Sequence, residues 1–202
     1  MRLEGLAEHP LGLTWVVDDP LLRASHALVH EGRVWFVDPV DAPEAMERAA
    51  ALGEPAGVLQ LFMAHPRDGE AIAGRLGIPL HVLPDVLPDT PFSVLNLDLG
   101  PWKERALWWP ELKGLVVAES LGTATHYAVG RGLAGTHVMR RLLPPTRLRP
   151  FLPEHLLVAH GPPVHGGDAA AATLDAINRS RRELPLFVLR APRLLRGMHG
   201  RR

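Results

Sequence analysis

Met63-Ala64-His65-Pro66-Arg67-Asp68-Gly69 follows an apolar run, Gly57-Val58-Leu59-Gln60-Leu61-Phe62. It precedes a short helical pattern from Glu70 to Leu76 that Gly77 closes, and a second apolar run from Ile78 to Leu83. That order is strand, polar loop, helix, strand. Loops at the C-terminal ends of strands are where α/β folds place chemistry. This one brings a histidine, an arginine and an aspartate together between His65 and Asp68. Two other strand-end loops have the same character, Glu119 to Thr123 and His160 to His165. Carboxylates and imidazoles converging from separate strands suit zinc, manganese or iron(II). None of the three loops holds a complete short ligand motif by itself.

Outward from the opening loop, the chain reads as short elements joined by tight turns. Leu11 to Val17 and Leu21 to His30 are extended segments around Asp18-Asp19-Pro20, and Glu31-Gly32 turns into Arg33 to Val37. Asp38-Pro39 ends that strand, and a helix starts at Asp41 or Ala42 with Pro43 in its first position. Phe92 to Leu99 alternates as a strand, and Arg105 to Trp109 pairs with Leu115 to Ala118 as a hairpin. Thr136 to Leu143 reads as helical, and Pro145 to Phe151 as a short helical turn. His155 to Ala159 is a buried-strand run, and Asp168 caps a helix from Ala169 to Arg181. Hairpins mixed with crossover helices in both halves predict an α/β (α+β) architecture, two sheets with helices on both outer faces. The prediction is a single domain over 1–185, followed by a basic tail over 186–202.

Composition narrows the functional classes. Lysine plus arginine equals aspartate plus glutamate at 22 each, so no global field draws the chain to nucleic acid or an anionic membrane. There are no cysteines, which excludes disulfides, thiolate metal sites and a cysteine nucleophile. Residues 1–10 are charged and lack an apolar signal core, so the expected compartment is the cytoplasm. The expected partner is a small molecule, and self-association stays open.

These residues resemble the metallo-β-lactamase fold superfamily over about Ala24 to Ile177. Ser25 to Val29 followed by Gly32 to Pro39 is similar to its opening hairpin. Leu61 to Gly69 is similar to the strand and loop of its His-x-His-x-Asp-His motif. Leu115 to Leu121 resembles the strand that delivers its metal-bridging aspartate, and Leu157 to Gly161 the strand that delivers its last histidine. The resemblance implies a four-layer αββα sandwich and hydrolysis at two metal ions. It also shows what is missing. With Asp68 at the motif aspartate, Ala64, Pro66 and Gly69 occupy histidine positions, and the region of Gly100-Pro101-Trp102 has no histidine either. Glu119 stands at the bridging aspartate.

Asp68, Glu119 and His160 are therefore the candidate ligands that the resemblance leaves, for one metal position. Each has a plainer reading: Asp68 as a helix N-cap, Glu119 as a loop carboxylate paired with an arginine, His160 as a histidine satisfied by backbone groups. His65 falls out of phase with the motif and reads as a pocket-lining or hydrogen-bonded histidine rather than a shifted ligand. Arg67 is placed to neutralise Asp68 and Glu119 where a metal would sit. Asp38 resembles an aspartate that orients a ligand, with a purely structural turn cap as the alternative. Trp102, with Trp108 and Trp109, lines a cleft or joins the core. His126 and His137 have no partner spacing to recommend them. The sequence reading is a scaffold with a degenerate site, holding no metal or one weakly held zinc or manganese ion and serving as a binding or interaction protein. The alternative is a one-metal hydrolase of an ester, thioester or lactone.

Overall fold

The computed structural model describes residues 2–190. The N-terminal half is a six-stranded sheet in the order β1-β2-β3-β4-β5-β6. Its strands are β1 (Leu3–His9), β2 (Gly12–Val17), β3 (Ala24–His30), β4 (Arg33–Val37), β5 (Glu54–Gln60) and β6 (Leu80–Val82). The first four run antiparallel to their neighbours, and β4, β5 and β6 are parallel. The parallel crossovers are α1 (Pro43–Ala50) and α2 (Gly69–Leu76). The C-terminal half contributes β7 (Ser93–Asn96), β8 (Arg105–Trp109), β9 (Gly114–Val117), β12 (His155–Val158) and β13 (Val164–His165). They form a five-stranded sheet in the order β13-β12-β9-β8-β7. Between them lie a small pair, β10 (Leu121–Gly122) with β11 (Gly135–Thr136), and a one-turn helix, α3 (Thr125–Ala128). The long helix α4 (Gly167–Arg179) follows, and residues 184–190 are helical.

Alternation along the strands builds the four layers. In β4, Trp35 and Val37 enter the cluster between the sheets, where they meet Leu107, Trp109, Val116 and Leu157 of the second sheet. Val34 and Phe36 point the other way, to Ala45 and Ala49 of α1 and Ile72 of α2. On the second sheet, Leu115, Val117, Leu156 and Val158 face Ala169, Ala172 and Ala176 of α4. Helix, sheet, sheet, helix is the expected αββα sandwich.

Several boundaries differ from the sequence reading. Residues 3–9 form an edge strand with a single intermediate-exposure face, because Leu3 and Leu6 pack against the α1/α2 side of the sheet. The expected helix over 136–143 is reduced to a 3-10 turn at Val138–Arg140. Thr136 is held in β11 instead, and the Arg141 side chain is wholly buried against Tyr127 O and Glu183. α4 starts two residues before Ala169, with Asp168 in the first turn rather than at the cap. The expected tail boundary at 186 falls inside the helical stretch 184–190; the rest of that tail lies outside the described residues.

The seam between the sheets is polar at one end. His26 is 1% exposed; its Nε2 is 3.1 Å from Val158 O and its Nδ1 2.8 Å from Thr14 Oγ1. With Nε2–H donating to the carbonyl, the ring is neutral and Thr14 donates to Nδ1. Burial, with His9 nearby, lowers its pKa to about 3. Because the folded pKa lies below the unfolded value of 6.5, unfolding takes up a proton as pH falls below 6.5, and stability is lost on that side. The slope approaches about 1.4 kcal/mol per pH unit only below 6.5, so His26 alone removes about 2 kcal/mol between pH 6.5 and 4.5. Urea unfolding across that range is expected to show a pH slope that His26→Gln reduces by about one proton. An unchanged slope would assign the acid sensitivity elsewhere.

Candidate metal centre

Loops that follow three strands, β5 of the first sheet and the parallel pair β9 and β12 of the second, meet at one place. β5 runs into His65, β9 into Glu119 and β12 into His160, and all three side chains are buried. His65 Nε2 lies 2.9 Å from Glu119 Oε2, and His160 Nε2 lies 3.2 Å from the same oxygen. Among the described residues these three form the only group of three or more histidines and acids whose ligand atoms all lie within 4.8 Å of one another.

Every outward-facing atom of this group already has a partner. His65 Nδ1 is 3.1 Å from Asp38 Oδ2, and Asp38 Oδ1 accepts from Leu61 N at 2.9 Å. His160 Nδ1 is 3.0 Å from Leu21 O. The acceptors behind both rings place the proton on Nδ1 and leave a lone pair on each Nε2. Glu119 Oε1 accepts from Tyr127 Oη at 2.6 Å and lies 3.4 Å from His137 Nε2. Its other oxygen, Oε2, has no aligned hydrogen bond although it is buried, and neither has His160 Nε2. With both rings in that neutral form, three acceptor atoms point at one another with nothing donating between them, and Glu119 Oε2 and His160 Nε2 are the two left without a partner. Such an arrangement is repulsive until a cation or a proton enters. Ligand atoms about 2.0–2.2 Å from a common tetrahedral ion stand roughly 3.3–3.6 Å apart, so the contacts of 2.9 and 3.2 Å need to open by only a few tenths of an ångström to seat one. Two imidazoles and a carboxylate suit zinc or iron(II).

The electrostatics agree. Burial raises the Glu119 carboxyl, but the His160 and His65 imidazoles outweigh it and hold the group well below the usual carboxylate range. Burial lowers His65, but Asp38 and Glu119 reverse this and the net direction is up. In the metal-free protein a proton on His65 therefore takes the part of the cation. Burial and Glu119 raise the Tyr127 phenol, which stays a donor. Burial, then His160, lowers His126 to about 4, and burial lowers His137, so both rings are neutral at pH 7.

The backbone around the group is held in uncommon conformations. Asp38 and Arg67 have φ of 42° and 41°, the left-handed region. Gly161 has φ of 97°, and a Cβ there would stand 2.4 Å from Ala124 N. Only glycine lets the 160–162 loop lie so close to residues 123 and 124, whose N–H groups donate to His160 O.

Not all the predicted residues come together. Asp68 does not join the cluster: its Oδ2 accepts from Asp41 N at 2.8 Å, tying the start of α1 to the start of α2. His65, read from sequence as out of phase, takes the place assigned to Asp68. Pro66 and the left-handed Arg67 turn the loop so that the residue before them faces the other strands. Arg67 feels the charge of Glu119 but, among the described residues, forms no ion pair with it or with Asp68. It donates to three carbonyls, Ala24 O (2.5 Å), Asp38 O (2.7 Å) and Ala159 O (3.1 Å), and so fastens the two sheets. Asp38 stands behind His65, its Oδ2 3.1 Å from Nδ1. Trp102 is core rather than pocket wall: its Nε1 donates to Glu104 Oε2 at 2.7 Å and its ring lies 5.1 Å from His137. Trp109 is also core, and Trp108 packs on Phe151.

Above the cluster opens a pocket of about 620 Å³. His126, Tyr127 and His137 line it together with the cluster, as do Leu21, Phe62, Val138 and Phe187. Sequence reasoning missed His126, Tyr127 and His137. They sit on α3 and the turn after β11, elements too short to produce a hydrophobic period.

No family model matches the sequence, and no curated protein matches it. Solved structures do. The chain superimposes on DIM-1 metallo-β-lactamase with a TM-score of 0.60 at 11% identity, covering 92% of this chain and 98% of that one. FIM-1 metallo-β-lactamase from Pseudomonas aeruginosa, in its mono-zinc form, gives 0.56 at 10% identity over 90% and 97%. TTHA1623 in a di-iron-bound form gives 0.55 at 17% identity over 76% and 94%.

Proposed function

We propose that this chain, which has the metallo-β-lactamase fold, is a metal-dependent hydrolase that works with one divalent ion held by His65, Glu119 and His160. The observation that carries this reading is the convergence of one ligand atom each from His65, Glu119 and His160, two of them, Glu119 Oε2 and His160 Nε2, buried without a hydrogen-bond partner, on the lining of a pocket. The sequence alone favours a scaffold that no longer hydrolyses. His65 changes that balance, because it supplies the second imidazole that the motif lacks. When bound, a divalent ion at such a site supplies water activation near neutral pH and Lewis-acid stabilisation of an oxyanion.

The chain's own residues supply the rest. Asp38 and Leu21 O fix the ring orientations of His65 and His160, and Tyr127 fixes Glu119. His126 is a neutral imidazole on the pocket wall, able to accept a proton from water or return one to a leaving group, whereas His137, whose Nδ1 accepts from Met139 N, holds its proton on Nε2. Leu21, Phe62, Ala64, Pro66, Val138 and Phe187 give the pocket an apolar wall, suited to the uncharged acyl part of an ester, thioester or lactone.

Protein purified without added metal, then titrated with zinc or iron(II), tests the reading. One equivalent is expected to bind at micromolar concentration or tighter, and to confer turnover on apolar p-nitrophenyl esters or acyl thioesters. His160→Ala is expected to lose both. Binding without turnover on any of the three acyl classes would favour the binding-protein reading, and no binding would overturn the metal site. The affinity should also depend on pH. Since His65 must lose a proton to bind and its folded pKa is raised, zinc affinity is expected to fall about tenfold per unit as pH drops below that pKa. Isothermal titration in two buffers of different ionisation enthalpy would count the released proton, and a pH-independent affinity would contradict the assignment of His65.

A further inference from the structure

Away from the candidate metal centre, three more histidines gather where the β12–β13 hairpin meets the turn between β1 and β2. His155 and His165 are direct cross-strand partners in the antiparallel pairing of β12 with β13. Their Nδ1 atoms stand 2.9 Å apart and their ring centroids 5.0 Å apart. The His9 ring lies 5.1 Å from that of His165. His9 has no nitrogen to spare: Nε2 is 2.8 Å from Thr14 Oγ1, and Nδ1 accepts from Leu11 N at 3.3 Å. His9 thus acts as a wall, and the Nδ1 atoms of His155 and His165 are hydrogen-bonded to each other through one proton, which an ion would displace.

We infer that His155 and His165 form a second metal site, a two-imidazole clip for copper(II) or nickel(II). Two nitrogens in adjacent positions of a tetragonal centre, each about 2.0–2.1 Å from the ion, stand about 2.9 Å apart, whereas a tetrahedral centre spreads them to about 3.4 Å. The 2.9 Å separation matches the tetragonal spacing as it stands, whereas zinc would need the two rings to part by about 0.5 Å. Imidazole is a ligand both ions take well, and copper(II) is the tighter of the two. The backbone is set in advance. Gly166 N donates to Glu154 O at 2.7 Å and closes the hairpin, and His155 N donates to Lys113 O at 3.3 Å and ties it to β9. An ion here would lock β12, the strand that carries His160 into the other site. The site is independent of the hydrolase reading, because it shares no ligand with His65, Glu119 and His160.

The test is nickel(II) and copper(II) titration of the full chain against His165→Ala, with circular dichroism to confirm that the variant is folded. His165 is exposed on a two-residue strand, so folding is expected to survive. The wild type is expected to bind one more equivalent of copper(II) than His165→Ala, with two nitrogen ligands in the electron paramagnetic resonance spectrum. Nickel(II) is expected to raise the unfolding midpoint of the wild type only. In His165→Ala, the affinity for that equivalent should drop at least tenfold while zinc binding at Glu119 is unchanged. Equal stoichiometry and equal nickel stabilisation in the two proteins would overturn the site. Loss of zinc binding alone, in any variant of the other cluster, would bear on the hydrolase reading and not on this one.

Discussion

Glu119→Gln is expected to weaken zinc binding by at least about a hundredfold while leaving the sandwich folded. Loss of a group that merely orients a ligand costs about 10- to 100-fold in metal affinity, and Glu119 is placed to bind the ion itself through Oε2. An amide keeps the volume and still accepts from Tyr127 Oη. It removes the charge and, on the inward side, places an N–H₂ opposite the lone pairs of His65 and His160. That amide donates to the imidazoles, so His65 no longer needs the proton it holds beside the carboxylate and His160 Nε2 gains a donor. The arrangement that repels without a cation is thereby relieved, so the variant should lose metal-induced stabilisation without losing much stability as the apo-protein. Tyr127→Phe is the graded companion. It leaves Oε1 without its 2.6 Å donor and is expected to cost about 10- to 100-fold in zinc affinity. Zinc titration combined with thermal unfolding, with and without metal, reads both. If Glu119→Gln bound zinc as the wild type does, Glu119 would be a buried partner of the two imidazoles and not a ligand.

Fold and site were not equally readable from the chain. The fold was readable because it rests on period and punctuation. Alternation in Val34 to Val37 splits two cores, Pro43 starts α1, and Gly77, with φ of 65°, stops α2. The site was half readable. Glu119 and His160 sit at strand ends, where a side chain's direction follows from the strand before it. His65 and Asp68 sit in a loop whose direction depends on one backbone angle, the positive φ of Arg67, and L-residues adopt that region rarely. Counting along a motif pointed to Asp68, whereas the side chain that converges on Glu119 and His160 is that of His65. The partners contributed by α3 and by the 3-10 turn after β11 left no pattern to read, because a single turn is placed by tertiary contacts. Arg141 illustrates the point. Its buried guanidinium holds Tyr127 O at 2.6 Å and Glu183 at 3.1 Å, and so sets where Tyr127 and His137 stand.

Glu104 carries the other large effect, and through backbone rather than chemistry. It is 0% exposed and lies at the start of β8's partner contacts, facing the loop that follows β9. Oε1 accepts from both Glu119 N and Ser120 N at 2.8 Å, and Oε2 accepts from Trp102 Nε1 at 2.7 Å and from Ser120 Oγ. Burial raises the pKa of the carboxyl against the pull of these donors. Glu104→Leu would leave four buried donors without an acceptor. At about 1–3 kcal/mol for each unsatisfied group, the expected loss is at least about 4 kcal/mol, a large part of the 5–15 kcal/mol that holds a typical domain together. Glu104→Gln keeps one oxygen for the two backbone N–H groups but turns an N–H₂ toward Trp102 Nε1, so about 1–3 kcal/mol is expected. Because Glu119 N is among the donors, the glutamine variant should also bind zinc less tightly, although no atom near the ion has changed. Urea unfolding of both variants, with zinc titration of the glutamine variant at 25 °C, separates the two consequences. Destabilisation with unaltered zinc affinity would show that the β9 loop holds Glu119 in place without Glu104. Neither effect in either variant would mean that the buried donors find other acceptors, and that the loop presenting Glu119 is not held from behind.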